Sequence, residues 1–152
     1  MVLATVRDDF YNVLLFVHIV SFLVAFAPAV LNPLFGNYLK REGDESAIRS
    51  WAGFAAFFTS RIALSALVVS LLTGVWMIIV SDDAWEFSDT WVSLAFLVWF
   101  AIGGVVSAMI LKGEKAMAAG DLTRERLVAK GGAIASVLGA IMLYLMIFKP
   151  GA

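Results

Sequence analysis

The sequence predicts an all-α fold, a transmembrane antiparallel four-helix bundle, and three observations carry that expectation. Of the 152 residues, 62% are hydrophobic and 15% charged, with a mean hydropathy of +0.93, which is more apolar material than one soluble core requires. The apolar residues fall into four runs near the roughly 20 residues that a helix needs to cross about 30 Å of hydrocarbon. Between the runs lie segments holding charge and turn residues. Backbone N–H and C=O groups must be paired within each run, so helix is the form that fits. The whole chain, 1–152, reads as one four-span domain.

The first run, Phe10 to Phe35, holds the single histidine of the chain, His18. Ala25–Phe26–Ala27 imitates a signal-peptide cleavage site. Arg7, Asp8 and Asp9 do not make a basic leader, however, and Pro28 would directly follow the cut, so a retained span is expected. At about 100° per residue, Tyr11, His18, Ser21, Ala25, Ala29 and Asn32 share one stripe, opposite Val13, Phe16, Val17, Val20, Leu23 and Leu31. The stripe with the histidine is expected to face the bundle rather than lipid. Pro28 removes one backbone donor beside it, and a kink is expected there.

The second run, Ile62 to Val80 with a lead-in from Trp51, carries a similar stripe in Ala56, Thr59, Ala63, Ala66, Ser70, Thr73 and Met77. In the third, Trp91 to Leu111, Gly103 is spaced with Ser107 and Gly104 with Ala108, and Ser88 or Asp89 is placed to cap its start. The fourth, Gly132 to Phe148, carries the ladders Gly131–Ala135–Gly139 and Gly132–Ser136–Ala140–Tyr144. Small residues four apart let helix backbones approach closely, which is how spans associate when lipid tails remove the hydrophobic drive. The same small residues can also leave a slot for a flat macrocycle.

The connecting segments orient the bundle. "GNYLKREGDESAIRS" holds Lys40, Arg41 and Arg49, and "KGEKAMAAGDLTRERLVAK" holds Lys112, Lys115, Arg124, Arg126 and Lys130. "SDDAWEFSDT" has no Lys or Arg. This alternation puts the first and third segments in the cytoplasm and both termini outside the cytoplasmic membrane. Trp76, Trp85, Trp91 and Tyr144 then fall near the outer boundary as an aromatic belt. Cysteine is absent, which removes disulfides, thiolate metal sites and thiol nucleophiles, and the net charge of -1 points to no nucleic-acid partner. Membrane lipid, a second copy of the chain or a larger membrane complex are the partners to expect.

His18 leads the candidate chemistry, because an ionisable residue within a span is costly. Neutral imidazole suits heme iron, zinc or copper; the alternative is one hydrogen bond to a neighbouring helix. Met77, Met142 and Met146 can supply a soft axial ligand or simply pack. Arg61, in "TSRIAL", can neutralise a heme propionate or another anion, or reach to lipid head groups. Asp82, Asp83, Glu86 and Asp89 lack the glycine-turned spacing of a cation loop and read as an acidic segment on the translocated side. No serine, lysine or acid pair is arranged for hydrolase or transferase chemistry. Transport has little support, because the spans read as free of Asp, Glu and Lys.

A first-span histidine, "TGVWMIIV" closing the second span with Gly74 and Trp76, and a fourth ending "LMIFKPGA" with Lys149–Pro150 together resemble the HemJ-type protoporphyrinogen oxidases and the CopD-like four-span proteins. The layout is similar, too, to an uncharacterised family of predicted small integral membrane proteins. The resemblance covers nearly the whole chain in outline. It implies that His18 matches a histidine associated with b-type heme, and it implies a homo-oligomer with a redox role. The oxidase opens its third span with a tryptophan closely followed by an activity-bearing lysine. Here the run is Trp91–Val92–Ser93–Leu94–Ala95, with alanine at the lysine position, so the resemblance implies heme binding without carrying porphyrinogen oxidation. Two functional expectations follow. One is a heme b protein with a redox or electron-transfer accessory role, and the other a non-catalytic subunit that packs into a larger membrane complex.

Overall fold

Long apolar runs without competing strand signals fold here as four antiparallel helices. The computed structural model describes residues 9–81 and 84–151. Helix α1 is Asp9–Glu42, α2 Glu45–Ile79, α3 Thr90–Ala118 and α4 Leu122–Phe148, and each is long and apolar enough to cross a membrane. The described residues contain no strand. Arg7, Asp8, Asp82 and Asp83 lie outside the described residues.

The helices are longer than hydropathy alone suggests, and two of the expected loops are mostly helix. α1 continues through Lys40 and Arg41, and α2 begins at Glu45, so the first connection shrinks to Gly43–Asp44. Gly43 takes a left-handed φ of 70°, and the Asp44 carboxylate accepts from Ser46 N (2.9 Å) and Ala47 N (3.0 Å), a cap worth about 1 kcal/mol. The third connection shrinks in the same way to Ala119–Asp121. There Asp121 receives the Thr123 N–H and hydroxyl and the Arg124 Nε–H, which hold its carboxyl below the usual carboxylate range. Lys40 and Glu125 pair across the same end, tying α1 to α4.

Pro28 and Pro33 both lie inside α1, which is one continuous helix through them. The inward stripe of α1 is as expected: Tyr11, Ser21 and Ala29 are buried, His18, Ala25 and Asn32 half-buried, and Val13, Phe16, Val20, Leu23 and Leu31 exposed. On α2 the buried line is Ala52, Ala55, Ala56, Thr59, Ala63, Leu67 and Ser70. Leu67 takes the place expected for Ala66, since Ala63, Leu67 and Ser70 are spaced i, i+4 and i+7 on one face; residues Thr59–Ala63 just before them are wound as a π-helical segment. A second π segment, Val106–Leu111, interrupts α3.

α1 packs on α2 and α4, α4 packs on α3, and the first half of α2 packs on the last turns of α3. Gly131, Gly132, Ala135 and Gly139 are buried at the α4 contacts. A Cβ on Gly131 would lie 2.9 Å from Met109 Cβ and Ile110 Cγ1, and one on Gly139 would strike the Phe26 ring. The second ladder turns away, since Ala140 and Tyr144 are exposed, and Gly104, Ser107 and Ala108 also face outward. Glu114, read from the sequence as part of the third connecting segment, is instead 2% exposed within α3, beyond the expected span end at Leu111. Its sequence neighbours Lys112 and Lys115 are exposed.

Gly131→Val should lower the stability of the detergent-purified protein by about 1–3 kcal/mol through overpacking. Gly104, whose added Cβ would meet nothing within 4 Å, should accept alanine with no loss, or with a gain of up to about 1 kcal/mol from helix propensity. Denaturant unfolding followed by circular dichroism measures both.

Candidate functional site

His18 lies about 14 Å along α1 from Asp9 at 1.5 Å per residue. Its Nδ1 is 2.7 Å from the carbonyl oxygen of Ser70 and 3.3 Å from Thr73 Oγ1. A carbonyl can only accept, so Nδ1 carries the hydrogen. The Thr73 hydroxyl hydrogen is directed to Val69 O (2.8 Å) or Ser70 O (3.1 Å), which leaves its oxygen free to accept from the same Nδ1–H. Nε2 therefore keeps a lone pair, and no described side chain or backbone group hydrogen-bonds it. Gly74 makes this possible: a Cβ there would sit 3.0 Å from Cε1 and 3.3 Å from Nδ1 of the ring.

His18 lines a cavity of about 480 Å³ bordered by all four helices, whose rim includes the exposed Ile19, Leu23, Leu143 and Ile147; its size is within the range of small-molecule and cofactor sites. The second half of α2 and the first half of α3 scarcely meet, and the cavity fills the gap. Its walls are apolar and aromatic, with Phe22, Phe96, Trp85, Trp91 and Trp99 prominent. Trp99 is fixed by donating its Nε1–H to Leu67 O at 3.0 Å. Trp91, 6% exposed, is different. Its Nε1–H is buried and has no acceptor, a state that costs about 1–3 kcal/mol unless something in the cavity accepts it.

Lys149 closes one end. Pro150 disfavours helical backbone at the preceding residue, α4 ends, and Lys149 adopts a left-handed conformation (φ 43°, ψ 58°) that is uncommon for a residue with a Cβ. Its Nζ then lies 3.5 Å from the Trp85 ring centroid and 5.7 Å from that of Trp91. Partial burial pulls its pKa below the ordinary lysine value. No carboxylate is within ion-pair distance among the described residues, so the cation is held over indole faces.

Of the residues singled out in the sequence, His18, Met77, Met142 and Met146 come together on this cavity. Arg61 does not: it is exposed, lies in the π segment of α2, and is absent from the walls. The cation available to an anionic ligand is Lys149. Trp91, expected in a lipid-facing belt, is instead a buried wall residue, whereas Trp76 and Tyr144 are exposed as a belt requires. Asp89 stands at the N-cap position of α3, but its carboxylate accepts from Glu86 N (3.0 Å) rather than from the helix. No cluster of three or more His, Cys, Asp or Glu forms among the described residues.

The fold defines the class of the chain, a four-span membrane helix bundle, here with an apolar cavity beside His18. Comparison with protein-family models, curated proteins and solved structures finds no match.

The one histidine of this chain gives a single imidazole signal set. ¹⁵N NMR of the labelled protein should show the Nδ1–H tautomer, and Gly74→Val should abolish that preference by driving the ring from the Ser70 carbonyl. A wild-type ring protonated at Nε2 would contradict the geometry.

Proposed function

We propose that the protein binds heme b in this cavity through His18, in a redox or electron-transfer accessory role at the cytoplasmic membrane. The observation that carries this reading is the imidazole itself. Its Nδ1–H is tied to a backbone carbonyl and its Nε2 lone pair is left free beside an apolar cavity. A hydrogen bond of this kind fixes the tautomer and orientation of a ligating histidine and raises its basicity.

The surrounding residues fit a flat apolar macrocycle bearing carboxylates. The aromatic walls suit the macrocycle, and Gly74 keeps the space beside the ring clear. The unpartnered Trp91 Nε1–H and the Lys149 ammonium are a donor and a cation suited to a propionate. A carboxylate there would satisfy the buried indole and offset the partial desolvation of the lysine. Met77, Met142 and Met146 also line the cavity and would offer soft thioether contacts to the bound group. When bound, heme supplies one-electron chemistry at a potential tuned by its axial imidazole and apolar burial. The protein's part is to orient the ring plane, hold the carboxylates and exclude water.

The exposed basic residues Lys40, Arg41, Arg49, Lys112, Lys115, Arg124 and Arg126 gather toward the end of the bundle that carries both short turns. The positive-inside rule puts that end in the cytoplasm. Tyr11, Trp85 and Lys149 border the cavity at the opposite end, so the heme would lie toward the outer face, where an external redox partner can reach it.

The test is titration of the detergent-purified protein with hemin, recorded oxidised and then dithionite-reduced. A Soret band with reduced α and β bands is expected, and it should be lost in His18→Ala. Trp91→Phe, which keeps an aromatic wall but removes the donor, should weaken binding by roughly tenfold or more, as expected for one hydrogen bond to a charged group. Arg61→Ala should bind like wild type. A featureless spectrum, or one unchanged in His18→Ala, would refute the proposal.

A further inference from the structure

The second polar enclosure lies far from His18. Asn32 is about 21 Å further along α1 at 1.5 Å per residue, and its Nδ2–H donates to Glu114 Oε1 at 2.5 Å. Glu114 is 2% exposed and Thr59 0% exposed. Thr59 Oγ1 faces the same carboxyl group. Yet Glu114 Oε2 and Thr59 Oγ1 are both buried without a hydrogen-bond partner. Three helices thus bring three polar side chains together and leave two oxygens unsatisfied.

No cation of the protein compensates this carboxyl group. The other charged side chains on the four helices are Asp9, Lys40, Arg41 and Glu42 on α1, Glu45, Arg49 and Arg61 on α2, Lys112 and Lys115 on α3, and Arg124, Glu125, Arg126 and Lys130 on α4, of which Asp9, Glu42, Glu45, Arg49, Arg126 and Lys130 are exposed. Lys40 pairs with Glu125 and Arg124 with Asp121, while Arg41, Arg61, Lys112 and Lys115 are exposed. None of them forms an ion pair with Glu114. An enclosed carboxylate with no countercharge is strongly disfavoured, so the enclosure is consistent only if one positive charge is supplied from outside the chain.

Two π-helical segments flank the site. Thr59 opens the one in α2, and the one in α3 ends at Leu111, just before Glu114. Such segments are frequent at functional sites because they re-aim side chains and loosen the carbonyl ladder. Above them the bundle is closed by Ala29, Ala63, Leu67, Ile102, Val106 and Ala135, around a void of about 20 Å³. That apolar layer separates Glu114 from the His18 cavity and leaves the end with the two short turns as its route to water.

We propose that Asn32, Thr59 and Glu114 form a buried site for a single monovalent cation, one proton or one sodium ion, which neutralises the Glu114 carboxylate. A proton would remove the charge of the carboxyl group, and Oε2 and Thr59 Oγ1 could then share a hydrogen bond in either direction. A sodium ion would be held by those same oxygens. One carboxylate matches one charge, and the site offers a divalent ion no second acid.

The experiment treats the full chain in detergent with dicyclohexylcarbodiimide in choline chloride and locates the modified carboxyl groups by peptide mass spectrometry. Modification at Glu114 is expected. Its loss on adding sodium but not potassium identifies sodium as the occupant, and its loss with rising pH irrespective of sodium identifies the proton. In parallel, the melting temperature of wild type should shift with the same variable, and that shift should vanish in Glu114→Gln, a neutral isostere. Failure to modify Glu114 under any condition, or an identical shift in Glu114→Gln, would overturn the proposal.

Discussion

Everything in this bundle follows from how closely its helices can approach. In hydrocarbon, apolar side chains gain nothing by leaving lipid for one another, so spans hold together through fit. Ala52, Ala55, Ala56 and Ala63 on α2, with Gly131, Gly132, Ala135 and Gly139 on α4, supply that fit through the middle and the basic end of the molecule. Toward the other end the small residues give way to Trp85, Trp91, Phe96 and Trp99. Large rings cannot interdigitate at the same separation, and the space they hold open is the cavity beside His18. Packing and site are two results of one gradient in side-chain size.

The polar groups are arranged with equal economy. The imidazole of His18, the Ser70 carbonyl and the Thr73 hydroxyl satisfy one another across α1 and α2. Asn32, Thr59 and Glu114 do so only in part across three helices. The apolar layer between these groups prevents them from merging into one wet channel. Each polar group is therefore confined to its own end of the bundle.

Much of this was legible in the sequence, and the exceptions have physical causes. The inward stripe of α1 could be read because one hundred degrees per residue places His18 with Ser21, Ala25 and Ala29, and the structure buries or half-buries every member. Glu114 escaped notice because Lys112 and Lys115 surround it and make a stretch that reads as loop. The helix continues past the hydrocarbon thickness, and a helix turns two of those three charges outward while turning the third in. Trp91 was read as a belt residue because sequence gives depth but not the direction a ring faces. Lys149 was noted only as part of the Lys149–Pro150 ending, since nothing local shows that a left-handed residue before Pro150 folds the ammonium back over Trp85. Arg61 shared the polarity of a site residue without sharing its face.

The π segments have a consequence beyond the oxygens they flank. Each accommodates a residue that a regular α-helix would have to carry round into the next turn. Thr59–Ala63 is thus a joint between two screws of different phase, the first packing on the end of α3 and the second on α1, where the Ser70 carbonyl meets His18. Removing a single residue there would rotate one screw against the other by about 100°. Substitutions on either side of the joint are local events, but its length is a property of the whole molecule, so insertions and deletions should be far rarer there than changes of residue.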